Sequence, residues 1–309
     1  MNFTDNLAAL VYFKGKVHKW KNIAFLFGVL SFLLCFKMLF GLDVSSNVIE
    51  GDHIASIKID GAIYHDEYRS KVLQDLVNDN SVVAVIVNVN SPGGEIVGSE
   101  ILYNQLKAIN EKKPIAVLMY SSAASGAYMA SLASDYIVAH NGTLTGSIGV
   151  LMESPEFTDL ASKIGVKFNT YKSSPLKGSP SPFEKSNQQV ERVIKESIED
   201  SYRFFVQLVE QRRGKLLDRK NISEIYDGRV FTGRQAERVG LIDKVGDIND
   251  ILSYFSSKKI DVKKMPIREV EIIKKDKKFL ENFLGYIPFL NNKSSIRNQQ
   301  QVMAIMPSL

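Results

Sequence analysis

Cysteine is almost absent from these 309 residues, with Cys35 the only one. No intrachain disulfide can form, so cysteine usage leaves the compartment open. Histidine is scarce as well: the chain has only His18, His53, His65 and His140. No catalytic signature surrounds any of them. There is no HExxH run and no His/Asp/Glu group with ligand spacing, which speaks against metal catalysis. A Walker-type phosphate loop is missing too. No metal and no cofactor is therefore expected. Charge of one sign is thin, with 39 Lys plus Arg against 34 Asp plus Glu, a net +5. The excess lies near the N-terminus and in the C-terminal tail, not in a groove-like cluster interleaved with aromatics. Nucleic acid is not an expected partner.

Hydrophobic residues make up 45% of the chain and charged residues 24%, proportions ordinary for a folded protein. The length suits one large domain or two modest ones. Residues 23–42, IAFLFGVLSFLLCFKMLFGL, form a long apolar run. As a helix it would reach about 30 Å, enough to cross a bilayer. Its one charge, Lys37, is close enough to the far end to snorkel toward headgroups. Lys14, Lys16, Lys19 and Lys21 precede the run, and Asp43, Glu50 and Asp52 follow it. That asymmetry puts the N-terminus in the cytoplasm and the bulk of the chain outside. A cleaved signal peptide is the alternative. The long segment before the run and the lack of a small-x-small cleavage site argue against it.

The expected organisation is a cytoplasmic N-terminus at 1–21, a transmembrane anchor at 22–42, a linker at 43–53, a main domain at 54–256 and an extension at 257–309. Within the extension, FLENFLGYIPFL (279–290) would cap the domain, lie on a membrane surface or pack on a neighbouring subunit. In the main domain IASIKID (54–60), VVAVIVNV (82–89), PIAVLMY (114–120) and YIVAH (136–140) read as strands. EIVGSEILYNQLKAIN (95–110) has helical periodicity, and a long helix is expected over about 184–213, ended by Gly214. Val190, Val193, Ile194, Ile198, Phe205, Leu208 and Val209 would form its apolar stripe. Thr232 is a plausible cap for a later, shorter helix. Continuous apolar strands alternating with helices imply a largely parallel sheet covered on both faces, an α/β fold.

Three segments carry candidate chemistry. NVNSPGGEIVGSE (88–100) sets Gly93 and Gly94 between a strand and a helix. Glycines there let backbone N–H groups face a ligand, as acyl transfer requires of an oxyanion site. An ordinary strand-to-helix turn is the plainer explanation. AASGAYMAS follows a strand and opens a helix, placing Ser125 where a helix dipole favours developing negative charge. Ser121, Ser122 and Ser147 are competing hydroxyls. The loop KSSPLKGSPSP (172–182) offers Lys177, with no carboxylate beside it, and Lys172 as the alternative. A lysine serves as a base only when held neutral; a solvated loop lysine is the plainer reading of both.

In order along the chain, NSPGG (90–94), AASGAY (123–128), TGSIGV (145–150), the KSxxxK loop (172–177) and GRVFTGRQAERVGLIDKVG (228–246) resemble the signal peptide peptidase A family. These are membrane-anchored bacterial serine peptidases with a ClpP/crotonase-like fold. The resemblance runs from about Ile54 to Gly246 and implies a serine endopeptidase with a Ser/Lys dyad. It implies Ser125 as nucleophile, Lys177 as general base, the Gly93–Gly94 turn as oxyanion hole with Gly93 the favoured donor, and Ser147 in the substrate cleft. Ala127 departs from the glycine common in the family. The implied setting is the inner membrane of a bacterium, with the catalytic domain on the extracytoplasmic side. Hydrophobic peptides, remnant signal peptides among them, would be the substrates. A homo-oligomer is implied, with serine and lysine supplied by neighbouring subunits. A catalytically silent membrane scaffold on the same fold is the alternative function. An acyl-CoA enzyme of the crotonase type fits poorly with a domain facing away from cytoplasmic CoA.

Overall fold

The computed structural model describes residues 20–21, 24–32 and 51–273, in two units, Met1–Gly51 and Asp52–Leu309. In the first unit residues 24–32 are helical and exposed. The rest of the expected anchor, residues 33–42 included, lies outside the described residues, as do residues 43–50 of the expected linker and the apolar stretch 279–290. Among the described residues no helix is long and apolar enough to cross a membrane.

In the second unit eight strands form one mixed sheet. They are β1 (His53–Asp60), β2 (Val82–Ser91), β3 (Ile115–Ala124), β4 (Tyr136–Ala139), β5 (Leu144–Gly146), β6 (Val230–Thr232), β7 (Lys244–Val245) and β8 (Ile267–Val270). The main path runs β6-β5-β3-β2-β1-β8, and β4 pairs with β3 and β7 off this path. All pairings are parallel except β5 with β6. Alternation explains the Val/Ile-rich runs. Val85, Val87, Val89, Val117 and Met119 point to one core, and Ala84, Ile86, Ala116 and Leu118 to the other.

Helices close both faces. Leu73 and Leu76 of α1 (Glu67–Asn78) and Leu102 and Leu106 of α2 (Ile96–Asn110) cover the first core, together with Phe205 and Leu208 of α5 (Gln188–Arg213). Ile251 and Phe255 of α8 (Ile248–Ser257) cover the second. Each such side chain stabilises by about 1.5–3 kcal/mol on burial. Between them in the chain lie α3 (Gly126–Ser131), α4 (Thr158–Lys163), α6 (Ile222–Ile225) and α7 (Gly233–Val239).

Two boundaries differ from the sequence expectation. The long helix starts at Gln188 rather than 184, because the Asn187 side chain caps it by accepting the Val190 N–H at 3.0 Å. The sheet continues past 256: β8 pairs in parallel with β1, and Ile272 is buried in the main core. Thr232 does cap α7, in a capping box with Gln235.

One irregularity prepares the site. Between β2 and β3 the register passes from Val89↔Met119 to Ser91↔Ala123, so β3 carries two extra residues there. Before this point β3 pairs with β4, and after it with β5. The strand thus bends around Tyr120–Ser121, and its last residues reach a different neighbour.

Candidate active site

Ser125 follows the last residue of β3 and caps α3. Its backbone, at φ 53° and ψ −122°, lies in a region that L-residues rarely adopt. Such a sharp strand-to-helix turn lifts a side chain above the carboxyl ends of the strands. The turn is held by the Ser125 N–H donating to the Gly146 carbonyl at 2.8 Å, and by the Ser125 carbonyl accepting the Met129 N–H at 2.9 Å. Ser125 is half-buried, and its hydroxyl has no hydrogen-bond partner among the described residues.

The Gly93–Gly94 turn packs directly beside it. Gly93 has φ +105°, and a Cβ there would lie 2.8 Å from both the Ala124 carbonyl oxygen and the Gly126 nitrogen. The Gly93 N–H donates to Ser91 Oγ at 3.1 Å, and its carbonyl accepts the Ile63 N–H at 2.9 Å. The Gly93 amide is therefore engaged within the turn. Gly94, not Gly93, lines the cavity that contains Ser125. Neither the Gly94 N–H nor the Gly126 N–H has a hydrogen-bond partner among the described residues. Gly94 is tightly held: a Cβ there would stand 2.0 Å from the Ile63 oxygen and 2.5 Å from its nitrogen. Gly94→Ala must displace the turn or Ile63. The expected fall in peptide-cleavage kcat/KM is about a hundredfold, the scale of a 1 Å misplacement. Unchanged steady-state rates would separate Gly94 from the chemistry.

The cavity measures about 590 Å³. Ile96, Ile148, Val150, Leu151 and Ile198 line it, along with Tyr202, Tyr226, Glu199 and Asp227. Ser147 also lines it, at φ 51°, with its N–H donated to the Arg229 carbonyl at 2.9 Å. The wall on α5 is braced from behind. Tyr202 Oη donates to the Tyr226 carbonyl at 2.6 Å, and Tyr226 Oη donates to Glu210 Oε1 at 2.7 Å. Burial, then the hydrogen bond to Glu210, pushes the Tyr226 hydroxyl far up, so it stays protonated as a donor.

The candidate lysines lie elsewhere. Lys177 is exposed in a turn, with its N–H donated to the Ser174 carbonyl at 3.1 Å, and it does not line the Ser125 cavity. Lys172 is partly buried and ion-paired to Glu184, and that contact holds the Glu184 carboxyl below its ordinary value. Among the described residues no lysine or arginine lines the cavity. Nor does a histidine: His53 opens β1 at the amino-terminal end of the parallel strands, away from Ser125. Among the described residues no His/Cys/Asp/Glu group could hold a metal. Sequence reasoning missed the wall formed by Glu199, Tyr202 and Tyr226. The only signal was that polar and aromatic residues interrupt the helix stripe near Ile198.

The sequence profile of Peptidase family S49 matches residues 107–262. A Methanocaldococcus jannaschii protein named "Putative protease MJ0651" is 33% identical over 245 residues, covering 74% of this chain and 78% of that protein. The chain belongs to peptidase family S49. A signal peptide peptidase SppA, so named with the same qualifier, from Enterococcus faecium is 36% identical over 188 residues, 60% of this chain and 54% of its own length. Protease 4 of Haemophilus influenzae is 32% identical over 210 residues, 65% of this chain but only 34% of that longer protein. Among solved structures, a mutant of the 1510-N membrane-bound stomatin-specific protease in complex with a substrate peptide aligns with a TM-score of 0.44 at 17% identity, covering 76% of this chain and 98% of that one. A ClpP1 mutant from Listeria monocytogenes aligns at 0.41 and 16%, covering 63% of this chain and 92% of that one. The S49 chain described here is thus a serine peptidase by family, with a mixed α/β sheet and flanking helices.

Proposed function

We propose that this S49 peptidase is a membrane-tethered endopeptidase that cuts apolar peptides, including signal-peptide remnants, with Ser125 as nucleophile and Lys177 of a second copy as general base. The observation that carries this reading is the position of Ser125: a positive-φ serine at a strand-to-helix turn, beside two unengaged backbone N–H groups, in a largely apolar cavity. In the first step Ser125 Oγ bonds to the scissile carbonyl carbon while neutral Lys177 Nζ takes the hydroxyl proton. The carbonyl oxygen becomes an oxyanion, which the Gly94 and Gly126 N–H groups stabilise, with Gly93 shaping the turn. The carbon–nitrogen bond then breaks, and the leaving amine takes the proton from Lys177. Water, deprotonated by the same lysine, hydrolyses the acyl-enzyme. In this reading Ser147, which lines the cavity, orients the lysine. No metal or cofactor enters any step.

Supply of the lysine by a second copy is supported by what the chain leaves exposed. Around Lys177 the segment 151–187 presents Leu151, Ile164, Phe168, Tyr171 and Phe183 to solvent, and Val193 of α5 is exposed as well. An apolar surface of this kind is characteristic of contact between subunits. The apolar run 23–42, with its flanking charges, supports tethering with the catalytic unit on the extracytoplasmic side of a bacterial inner membrane. Tethering would hold the site where apolar peptides concentrate.

Mixing tests the arrangement. Ser125→Ala and Lys177→Ala variants should each be inactive alone. After dissociation and reassembly in equal amounts they should recover about a quarter of the wild-type rate, because random pairing rebuilds one site in four. No recovery from a demonstrated mixed oligomer would reject the shared site. Wild-type kcat/KM should also rise toward alkaline pH, since the base works only after losing its proton. A flat profile from mildly acidic to alkaline pH, with chemistry limiting, would reject a lysine base.

A further inference from the structure

The cavity that holds the serine has among its lining residues one acidic side chain with no ion pair among the described residues. Asp227 does not supply it: its carboxylate is held by Arg229, whose Nη2 lies 2.6 Å from Oδ2 and whose Nε donates to both oxygens at 2.9 and 3.0 Å. The same guanidinium reaches Glu224 at 2.7 Å. Glu199 is different. Exposed on α5, it lines the cavity together with its neighbour Ile198 and with Tyr202, three residues on along the same helix face. It forms no ion pair among the described residues, and Lys195 and Arg203, four residues away on either side, do not reach it. Among the described residues of this chain the remaining lining is apolar, hydroxylic or glycine and holds no cationic side chain.

We propose that Glu199 is a specificity-determining residue, selecting apolar peptides that carry a cationic side chain or a free chain-end amine near the cleaved bond. Glu199 is exposed, so its attraction for a peptide cation is of the modest, salt-screened kind that surface pairs show. The polar phenol of Tyr202 beside it keeps its proton, with burial first and Glu199 second raising it, so no phenolate competes for the cation. Secretory leaders have this chemistry: a positively charged segment joined directly to an apolar one. This inference rests on Ser125 being the nucleophile of the same cavity.

The test uses the full-length protein and one apolar peptide made in versions with Lys, Gln or Glu at each position flanking the cleaved bond. At one position the Lys peptide should exceed the Gln peptide in kcat/KM by about threefold to tenfold, mostly through KM, with the preference fading as salt rises. Glu199→Asp should keep that ratio above one, Glu199→Gln should bring it to one, and Glu199→Lys should favour the Glu peptide. A ratio unchanged in Glu199→Gln overturns the inference, and so does an equal loss on both peptides. Cleavage of the Gln peptide by Ser125→Ala would instead overturn the assignment of the nucleophile, so the two failures are distinguishable.

Discussion

Replacement of Ser125 by Ala is expected to lower cleavage of an apolar peptide by about a thousandfold to a millionfold, the range for losing a nucleophile outright. The oligomer and the unfolding midpoint should be almost unchanged, because the hydroxyl makes no hydrogen bond among the described residues that the change could break. The backbone already accepts a side chain at φ 53°, so alanine adds no new conformational demand. Ser121, Ser122 and Ser147 are nearby hydroxyls in the sequence, and their alanine variants are the controls. Ser121 and Ser122 precede the turn on β3, and neither lines the cavity. Ser147 does line it, so Ser147→Ala should reduce the rate without abolishing it.

The second large effect concerns stability. Arg213 ends α5 almost fully buried, at 5% exposure. Its Nη1 donates to Asp243 Oδ1 at 2.8 Å and its Nε to the Gly240 carbonyl at 3.0 Å. Asp243 Oδ2 in turn accepts the Ile137 N–H of β4 at 2.7 Å. The pair ties the end of α5 to the turn after α7 and to the sheet. Arg213→Ala leaves a largely buried carboxylate without its cation, an expected loss of about 3–5 kcal/mol. The neutral pairing in Arg213→Met with Asp243→Asn should be less destabilising than the single change, because it removes the orphaned charge. Urea unfolding measures both. A loss below about 1 kcal/mol in Arg213→Ala would place this pair among the weak surface bridges. The same anchor fixes the helix that carries Ile198, Glu199 and Tyr202, so destabilised variants should also lose affinity for peptide.

The long strands could be read from the chain because their apolar runs are continuous. Ala84–Val87 of β2 and Ile115–Met119 of β3 are buried on both faces, which leaves a continuous apolar signal. The placement of Ser125 was legible for a related reason: small residues at the end of a buried strand mark a tight turn into a helix. The short strands were not legible. Leu144–Gly146, Val230–Thr232 and Lys244–Val245 are two or three residues long, below any period that alternation can reveal. Ile267–Val270 was hidden in a Lys-rich stretch, where partly exposed Arg268 and Glu269 dilute an edge strand. The apolar stripe expected of the long helix is present in α5. Only its carboxyl-terminal half packs on the core, through Phe205, Leu208 and Val209, while Ile198 faces the cavity and Val193 faces solvent. A stripe records apolar surface, not what covers it. The engagement of the Gly93 N–H by the Ser91 hydroxyl was not legible in the sequence, since it depends on backbone geometry.

The most direct measurement is the mass of the covalent intermediate. The wild-type protein would be mixed with a peptide ester whose acyl-enzyme hydrolyses slowly, quenched in acid and mapped by peptide mass spectrometry. The acyl group should appear on the fragment containing Ser125, and on that side chain when the fragment is sequenced. An acyl group on Ser121, Ser122 or Ser147 instead would contradict the assignment from which the mechanism is built.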